Sequence, residues 1–542
     1  MLPSIDLAPD AGANRRQHVV LAALLGGLVL CWILLTPPGA APDEPSHLSR
    51  AGAVARWQLD GEDLGAGGLE AYLLPDTYRL PEPGCYAFQP TVPVECAATP
   101  ERTGDDTSLA SRADEYPLWG HLAYGIATRL PGLDPIWWAR LAGGAAALAL
   151  VVAAMRVAGD TPLRRVGIIA ALTPMVVATI AAVNPSTFGI AGAIALWAVL
   201  LDPSVRLAGT GRWLTAAGWA ALALPRRDGL IWAMLIVAIA LAASDCSVAS
   251  WWRRLGLGPQ IVVAATSIAT IVWGLGNDRR VTQLVALSPV ILVAYGVARW
   301  VWRRHAVDPA RRAALVVAGS VVAAAGSVAV LVTRPGGWDA ELAGRVVDET
   351  GRHLVESVGV LGWLDTELPL LAVLLAIATI GVLAAASLLD RPHLLTLAVV
   401  VIAVTISTSW LFELAQGNTS GRYWQGRYSL PLLVGVPVAL SRATIGRSVD
   451  RTAAIAVGVG SLAVLNIAAS AAARRWGVGV DGSLLPWEWD HPHAPLEPFV
   501  LLLAHAALSV ALLAVLTRPE RSREPLDALV VDEVRRSSRA AG

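Results

Sequence analysis

The chain of 542 residues contains no lysine, so its 42 basic side chains are all arginines, and 42 acidic side chains balance them. A formal net charge of zero gives the chain no overall attraction to nucleic acid. Charged residues make up only 15% of the sequence, whereas 55% is hydrophobic. So small a share of charge excludes an assembly of ordinary soluble domains and is typical of a protein with many membrane spans.

Cysteine is also scarce, and the common catalytic motifs are missing. Four cysteines are too few for a disulfide-stapled fold, and their spacing matches no zinc motif. The chain lacks the GxxxxGK[ST] phosphate-binding loop, the HExxH metalloprotease motif and the GxSxG nucleophile turn. We therefore expect no resident cofactor, with a divalent cation as an open alternative, and a substrate that is a lipid or reaches the membrane surface.

Long apolar runs recur from one end of the chain to the other. They predict an all-α transmembrane bundle of about 13–14 spans, since about twenty apolar residues cross a hydrocarbon layer of about 30 Å. The first run is followed by Thr36-Pro37-Pro38 instead of a small-residue cleavage site, so we expect a retained span. The predicted spans are 18–36, 134–157, 164–183, 185–201, 212–224, 228–243, 259–276, 281–302, 312–333, 369–389, 393–412, 429–442, 452–472 and 497–517.

Charge predicts the orientation of these spans. The arginine clusters between spans fall on one side if the N-terminus is cytoplasmic. The segment 37–115 instead holds fourteen acidic residues and five arginines, and 334–368 holds seven and three. We expect a multi-pass protein of the inner (plasma) membrane with two cytoplasmic termini. Its predicted parts are a tail at 1–17, a membrane domain at 18–517 with external loops at 37–133, 334–368, 413–428 and 473–496, and a tail at 518–542.

The first external loop is predicted to be large and to carry two structural features. Its last part, from Tyr116 to Leu130, is apolar but short for a span, which predicts an interfacial helix lying on the outer surface. Cys85 and Cys96 share the loop, and paired thiols outside the cytoplasm tend to be oxidised. We expect a disulfide bond that stabilises the loop by roughly 2–3 kcal/mol. Two free thiols are the alternative, because the sequence does not give the distance between them.

Ionisable residues gather directly after the first predicted span, where Asp43, Glu44 and His47 lie within one short stretch. One interpretation is a helix start, because Asp and Glu cap free amides and Pro45 suits the first turn. The other is a functional site, since a carboxylate at a membrane surface can act as a general base. Local sequence leaves both open.

Two groups of arginines are predicted on the same external side. Arg226 and Arg227 lie in a turn between two short spans, against the charge rule, and mark either a functional cation pair or a charged turn paired with Asp228. Arg422 and Arg427 lie in the segment GRYWQGRY, which begins at Gly421. Arginines separated by glycine suit a pocket for an anion.

Together these features resemble a known group of proteins. The acidic pair Asp43-Glu44, the long loop, Pro117-Leu118-Trp119, the short spans around Arg226 and the late Gln425-Gly426-Arg427-Tyr428 resemble the bacterial integral-membrane family called domain of unknown function 2142. That family in turn is similar to the GT-C superfamily of polyprenyl-phosphate-dependent glycosyltransferases. The resemblance covers most of the chain, and the QGRY segment with the acidic pair is its most specific part.

The resemblance implies a GT-C-like bundle with an active site at the outer interface. There a sugar carried on polyprenyl phosphate, the lipid-linked donor, would pass to a cell-envelope glycan, lipid or protein acceptor. Asp43 matches the expected catalytic base, with Glu44 as the alternative, and arginines would hold the leaving phosphate. The residues expected to bind substrate are His47, His121, Arg226, Arg227, Arg422, Gln425, Arg427 and Tyr428.

Three other functions stay open at this stage. They are a transporter or flippase of lipid-linked or envelope polysaccharide, a glycan ligase with a different base, and a non-catalytic membrane scaffold. A transporter often shows an internal repeat and places ionisable residues near the middle of its spans, whereas here the charges are expected at the span ends. A scaffold needs no carboxylates and arginines that face one another.

Overall fold

The structure is a computed structural model. It describes residues 11–65, 69–159, 161–202, 207, 209–244, 246–277, 340–416, 424–444, 446–490 and 494–518. The spans predicted at 281–302 and 312–333, most of both predicted tails, and Arg422 lie outside the described residues.

The described residues are mainly helical, and several helices begin with a proline in the first turn. A proline there lacks only an N–H that would be unpaired in any case, and its fixed φ suits the helix. The helices are α1 Ala11–Leu35, α2 Glu44–Ala55, α3 Trp119–Ala127, α4 Pro135–Ala158, α5 Pro162–Ala171, α6 Pro174–Ile180, α7 Ser186–Leu200, α8 Thr210–Ala223, α9 Gly229–Ala243, α10 Val248–Leu255, α11 Leu257–Asn277, α12 Ala340–Asp348, α13 Thr350–Gly359, α14 Leu370–Asp390, α15 Pro392–Gln416, α16 Leu430–Leu433, α17 Gly435–Leu440, α18 Arg447–Val478 and α19 Pro498–Leu516.

Among the described residues, seven helices are long and apolar enough to cross a membrane, namely α1, α4, α11, α14, α15, α18 and α19. The pairs α5 with α6 and α9 with α10 pass the same test only as bent pairs, which raises the number to nine. The prediction of an all-α bundle with many spans is therefore confirmed. The single span expected at 164–183 is instead broken by 70° before Pro174, where the hydroxyl of Thr173 accepts the N–H of Val176 and caps α6.

The long segment between α1 and α4 folds into a small unit. It contains α2, α3 and an antiparallel sheet of β1 Glu62–Asp63, β2 Glu70–Pro75 and β3 Asp106–Ser111. Their apolar residues form a separate core with Ile136 and Ala139 of α4. The predicted interfacial helix is α3, which packs against α2 and α4 on one face while Trp119 and Ile126 stay exposed. His121 and Tyr124 are fully buried, and a Cβ at Gly125 would meet the carbonyl of Ala51 at 2.3 Å, so glycine permits this close packing.

One end of the bundle carries this unit, and we call it the loop end. It is the end at which α1 ends, α4 begins and α18 ends. A hairpin of β4 Val360–Leu361 and β5 Thr366–Glu367 lies there as well. The helix α18 continues to Val478, so the loop predicted at 473–496 begins inside a helix.

A polar cluster lies midway along α19, where the sequence led us to expect no ionisable group. The indole N–H of Trp32 donates to Nε2 of His505 at 3.2 Å, so the ring proton resides on Nδ1, 2.9 Å from the side-chain oxygen of Asn466. The amide of Asn466 donates to the hydroxyl of Ser509 at 3.0 Å. Both ring nitrogens of His505 are therefore used to join α1, α18 and α19, as polar side chains often do between membrane helices.

Candidate functional site

Asp43 lies between α1 and α2 and points away from the helix that follows it. It occupies the N-cap position of α2 with a left-handed backbone (φ 62°), and its side chain makes no capping hydrogen bond. Its Oδ2 instead accepts a hydrogen bond from Nη2 of Arg427 at 2.6 Å. The Asp43 side chain is 48% exposed and that of Arg427 only 6%. Helix capping therefore does not explain the carboxylate of Asp43.

Glu44, the next residue, is completely buried against a different arginine. Its two oxygens lie 2.8 and 2.6 Å from Nε and Nη2 of Arg140, and both side chains are 0% exposed. Glu44 also accepts the N–H groups of Gly39 and Val183. Arg140 donates its other N–H groups to carbonyls at the end of α1, those of Ile33, Thr36 and Pro37. Because both oxygens of Glu44 are engaged, this geometry does not favour Glu44 as the alternative base.

Arg427 belongs to a short 3₁₀ turn at Gly426–Ser429 that two buried glutamates hold in place. Glu356 of α13 accepts the N–H of Gly426 at 2.8 Å, and Glu413 of α15 accepts the N–H of Trp424. A Cβ at Gly426 would lie 2.3 Å from the carbonyl oxygen of His353, so the turn packs this closely only with glycine. Sequence reasoning missed both glutamates. An acidic residue at the end of an apolar run, as Glu413 is, was the available signal.

The guanidinium groups of Arg226 and Arg427 both lie against aromatic rings. The guanidinium carbon of Arg226 lies 4.8 Å from the ring centre of Tyr428 and 5.5 Å from that of Tyr116, and Arg427 lies 5.4 Å from Tyr428. Arg226 also forms the ion pair with Asp228 that the sequence allowed, at 2.9 Å, and donates to the hydroxyl of Ser186 at 3.0 Å. Arg226 therefore brings positive charge to the site while most of its N–H groups are engaged.

Burial sets the ionisation of the other groups in this cluster. Burial raises the pKa of Tyr116 to about 12, so its hydroxyl stays protonated. Burial opposes the ionisation of Asp228, but the charge of Arg226 outweighs it and lowers the pKa of the carboxyl. The phenol of Tyr116 is thus available as a neutral hydrogen-bond donor at neutral pH.

A buried histidine pair lies beneath Asp43. Nδ1 of His47 and Nε2 of His121 are 3.1 Å apart, and the ring of Tyr116 meets that of His47 edge-on, with 5.1 Å between centres. Burial, reinforced by Arg427 and Arg226, lowers the pKa of His47 to about 3. Burial and the neighbouring His47 hold the pKa of His121 well below its usual value. Both rings are therefore neutral at pH 7 and shape the floor of the site.

A narrow cleft of about 40 Å³ opens beside Arg427. Arg427 is the one charged side chain among the described residues that line it, and its Nε has no hydrogen-bond partner in the described structure. A buried guanidinium with an unpaired Nε, among lining residues that are mostly apolar, suits an anionic group on an apolar chain. The other lining residues come from the α1–α2 loop, α6 and the segment after it, the β4–β5 hairpin and α18: Thr36, Ala40, Ala41, Pro42, Met175, Ala178, Thr179, Ala182, Asn184, Val360, Leu361, Gly362, Leu364 and Trp476.

Most of the predicted site residues meet at the loop end. Tyr116 joins them although sequence reasoning did not select it; an aromatic residue directly before Pro117 was the only signal. Gln425 lies half-buried at the edge, and its Oε1 has no partner among the described residues. Arg227, next to Arg226, is also half-buried. The residues brought together are Asp43, His47, His121, Arg226, Arg427 and Tyr428.

A disulfide bond and a buried arginine fix the remaining wall of the site. Cys85 and Cys96 are bonded, as the sequence predicts. Arg475, at the end of α18, is 1% exposed and binds Asp365 of the β4–β5 turn at 2.8 Å. The same guanidinium donates to two carbonyls of the disulfide loop, those of Tyr86 and Val92. As for metals, the described residues include no group of three or more His, Cys, Asp or Glu side chains that could hold an ion.

Comparison with known proteins identifies the family but not the activity. No curated protein matches the chain. The model of the family DUF2142, whose description is "predicted membrane protein", matches residues 25–436, more than half of the chain. The matched range includes both Asp43 and Arg427. The chain therefore belongs to the DUF2142 family of predicted membrane proteins.

Proposed function

We propose that the protein is a GT-C-like membrane glycosyltransferase of the bacterial cell envelope. It transfers a sugar from a polyprenyl-phosphate donor to a glycan, lipid or protein acceptor on the external face of the plasma membrane. The observation that carries the proposal is the contact between Asp43 and Arg427 beside an apolar cleft. A half-exposed carboxylate and a buried arginine there match the two needs of the reaction, a base and a cation for phosphate.

The transfer exchanges one bond of the anomeric carbon for another. The bond to the phosphate oxygen breaks, a bond to the acceptor oxygen forms, and the acceptor hydroxyl gives its proton to Asp43. The phosphate leaves with the bonding electrons, so negative charge grows beside Arg427. Nη2 of Arg427 holds Asp43, and its buried Nε, which has no partner in the described structure, is the donor that we assign to the phosphate.

Arg226 has a supporting role in this proposal. Its N–H groups are engaged with Asp228 and Ser186, so it acts through its charge more than through a direct bond to phosphate. The rings of Tyr116 and Tyr428 keep that charge next to Arg427. The Tyr116 hydroxyl, protonated at neutral pH, is a further donor for the phosphate or the sugar.

The proposal places the loop end outside the cell and both termini in the cytoplasm. The arginines near the opposite end of the bundle, with the acidic segment at the loop end, support this orientation. With Cys31 and Cys246 replaced by serine, single cysteines at Glu101 and Gly446, both exposed, report the two sides. An impermeant thiol reagent on intact cells should label Glu101→Cys only. Labelling at Gly446→Cys would reverse the orientation.

The deciding experiment is a glycan and lipid profile of cells that lack the protein. A glycosyltransferase predicts that the unmodified acceptor accumulates on the outer face, whereas a transporter predicts a product or donor held on the inner face. Wild-type protein should restore the profile and Asp43→Asn should not, at equal protein levels. Full restoration by Asp43→Asn would remove the base assignment.

A further inference from the structure

Backbone strain is concentrated around the cleft. In the part of the chain that the structure describes, the non-glycine residues with positive φ are Asp43, Trp57, Phe88 and Leu364, all between 61° and 62°. Bulky residues rarely adopt this conformation, and such strain tends to persist where a site needs it. Asp43 is the candidate base, and Leu364 lines the cleft. Phe88 touches the turn that contains Leu364, so three of these four positions belong to one region.

Phe88 and Trp363 form an aromatic corner at the rim of this cleft. Their ring centres are 5.9 Å apart and their planes meet at 67°. Trp363 lies between Gly362 and Leu364, which both line the cleft, and its indole N–H donates to the carbonyl of Gly39 at 3.3 Å. Phe88 is 69% exposed. Phe88 thus packs against Trp363 and leaves most of its ring surface uncovered by the described chain.

One buried side chain, that of Arg475, holds both the loop that carries Phe88 and the turn that carries Trp363. Arg475 binds the carbonyls of Tyr86 and Val92, on either side of Phe88, and the carboxylate of Asp365, two residues after Trp363. The disulfide bond closes the same loop. The two rings are therefore held at a set angle before any ligand arrives, which lowers the entropic cost of binding.

We infer that Phe88 and Trp363 form a sugar-binding subsite at the mouth of the cleft. The subsite takes one sugar ring, from the lipid-linked donor or from the acceptor glycan, and thereby deepens the proposed function on which it rests. The C–H bonds on one face of a sugar ring carry partial positive charge and pack against the negative face of an aromatic ring, while the hydroxyls stay in water. Arg427 lines the same cleft as Gly362 and Leu364, the neighbours of Trp363, so a phosphate at Arg427 and a sugar ring at the aromatic corner occupy one continuous site in this proposal.

Trp57 supplies a matched control. It is 83% exposed and has almost the same backbone conformation as Phe88, with φ 61° against 62°. It follows the far end of α2, a helix of twelve residues that begins beside Asp43, so about 18 Å of helix separates it from the candidate base. Replacing Trp57 thus removes an exposed, strained aromatic ring without touching the corner.

The test uses the full-length protein in lipid nanodiscs and measures ligand-dependent shifts in unfolding temperature. One arm compares decaprenyl phosphate with its glucosyl, mannosyl and arabinosyl derivatives, and the other uses oligosaccharides released from the cell envelope. Phe88→Ala should weaken binding of the sugar-bearing ligand by about two- to tenfold, as expected for loss of one aromatic contact. Phe88→Tyr and Trp363→Phe should retain binding, and Trp57→Ala should match the wild type.

The two arms separate the possible sources of the sugar and the possible failures. A loss in the first arm only assigns the subsite to the donor, and a loss in the second arm only assigns it to the acceptor. Equal binding by wild type and Phe88→Ala in both arms overturns the subsite, as does a fall in stability alone, which would indicate anchoring at the membrane surface. Binding of bare decaprenyl phosphate that depends on Arg427 would then leave the proposed function standing, and its absence would remove that function.

Discussion

Asp43 and Glu44 are neighbours in the chain, and each lies 2.6 Å from an arginine nitrogen, yet they occupy opposite environments. Glu44 and Arg140 are both 0% exposed. The Asp43 side chain is 48% exposed, against the mostly buried Arg427. The distance and the partner type are the same in the two pairs, so the difference in burial decides what each carboxylate can do.

The buried pair, Glu44 with Arg140, stabilises the fold. Its carboxylate and guanidinium also bind backbone N–H and carbonyl groups of the stretch 36–39 and of Val183, so each desolvated charge is compensated. The half-exposed pair contributes less to folding, because water screens the carboxylate. A carboxylate that water reaches is also one that a substrate hydroxyl can reach.

The largest effect is expected at Glu44. Glu44→Gln keeps the shape of the side chain but leaves the guanidinium of Arg140 buried without a counter-charge, which should destabilise the fold by about 3–5 kcal/mol. The measurement is denaturant unfolding in detergent, together with the protein level in cells. Replacing both partners, as in Glu44→Gln with Arg140→Met, should recover part of the loss. Wild-type stability for Glu44→Gln alone would show that the two pairs are equivalent after all.

Asp43→Asn should show the reverse pattern. The amide keeps the size of the side chain but cannot act as the proposed base, so the rate of the proposed transfer should fall by about 10²–10⁴-fold. Stability should fall less than in Glu44→Gln, because the Asp43 side chain is 48% exposed and water can take the place of its carboxylate, whereas no water reaches the buried partner of Arg140. Rate and unfolding must be measured on the same preparation. Unfolding of Asp43→Asn as severe as that of Glu44→Gln would contradict the contrast between the two residues.

Arg427→Lys tests the other partner of the exposed pair. The charge remains, but the fork is lost that binds Asp43 through one nitrogen and, in the proposed function, phosphate through another. Affinity for decaprenyl phosphate should fall by about 10- to 100-fold, the range for a charge-assisted hydrogen bond. Arg140→Lys should leave affinity unchanged in whatever protein folds. Unchanged affinity in Arg427→Lys would show that only the charge matters.

The smallest effect concerns pH and the histidine pair beneath Asp43. Because the pKa of buried His47 is lowered to about 3, stability from its neutral form is complete above about pH 6.5 and is lost as the pH falls towards 3. Each pH unit in that range should cost up to about 1.4 kcal/mol per histidine. Between pH 7 and pH 5, the free energy of unfolding should fall less steeply with decreasing pH in His47→Gln than in the wild type. An identical slope would show that carboxylates alone govern acid sensitivity.

The sequence predicts the helices well and the site only in part, for a physical reason. Apolar runs must form helices in hydrocarbon, where each backbone group needs a partner within its own segment. Asp43 and Glu44 look alike locally, but they bind different arginines, and the left-handed backbone at Asp43 is not visible in the sequence. Asp43 and Arg427 are 384 residues apart in the chain, so local sequence patterns do not show that they are in contact. The break before Pro174 could have been predicted from the sequence, because a proline ends or kinks a helical pattern at the residue before it.

The chain separations of the two ion pairs also set the order in which they form during synthesis. Arg140 follows Glu44 by 96 residues, whereas Arg427 follows Asp43 by 384. At about 5–20 residues per second, translation delivers Arg427 roughly 20–80 s after Asp43. Both residues of the buried pair are synthesised long before then, so a newly made chain can hold the start of α2 against α4 before Arg427 exists to bind Asp43.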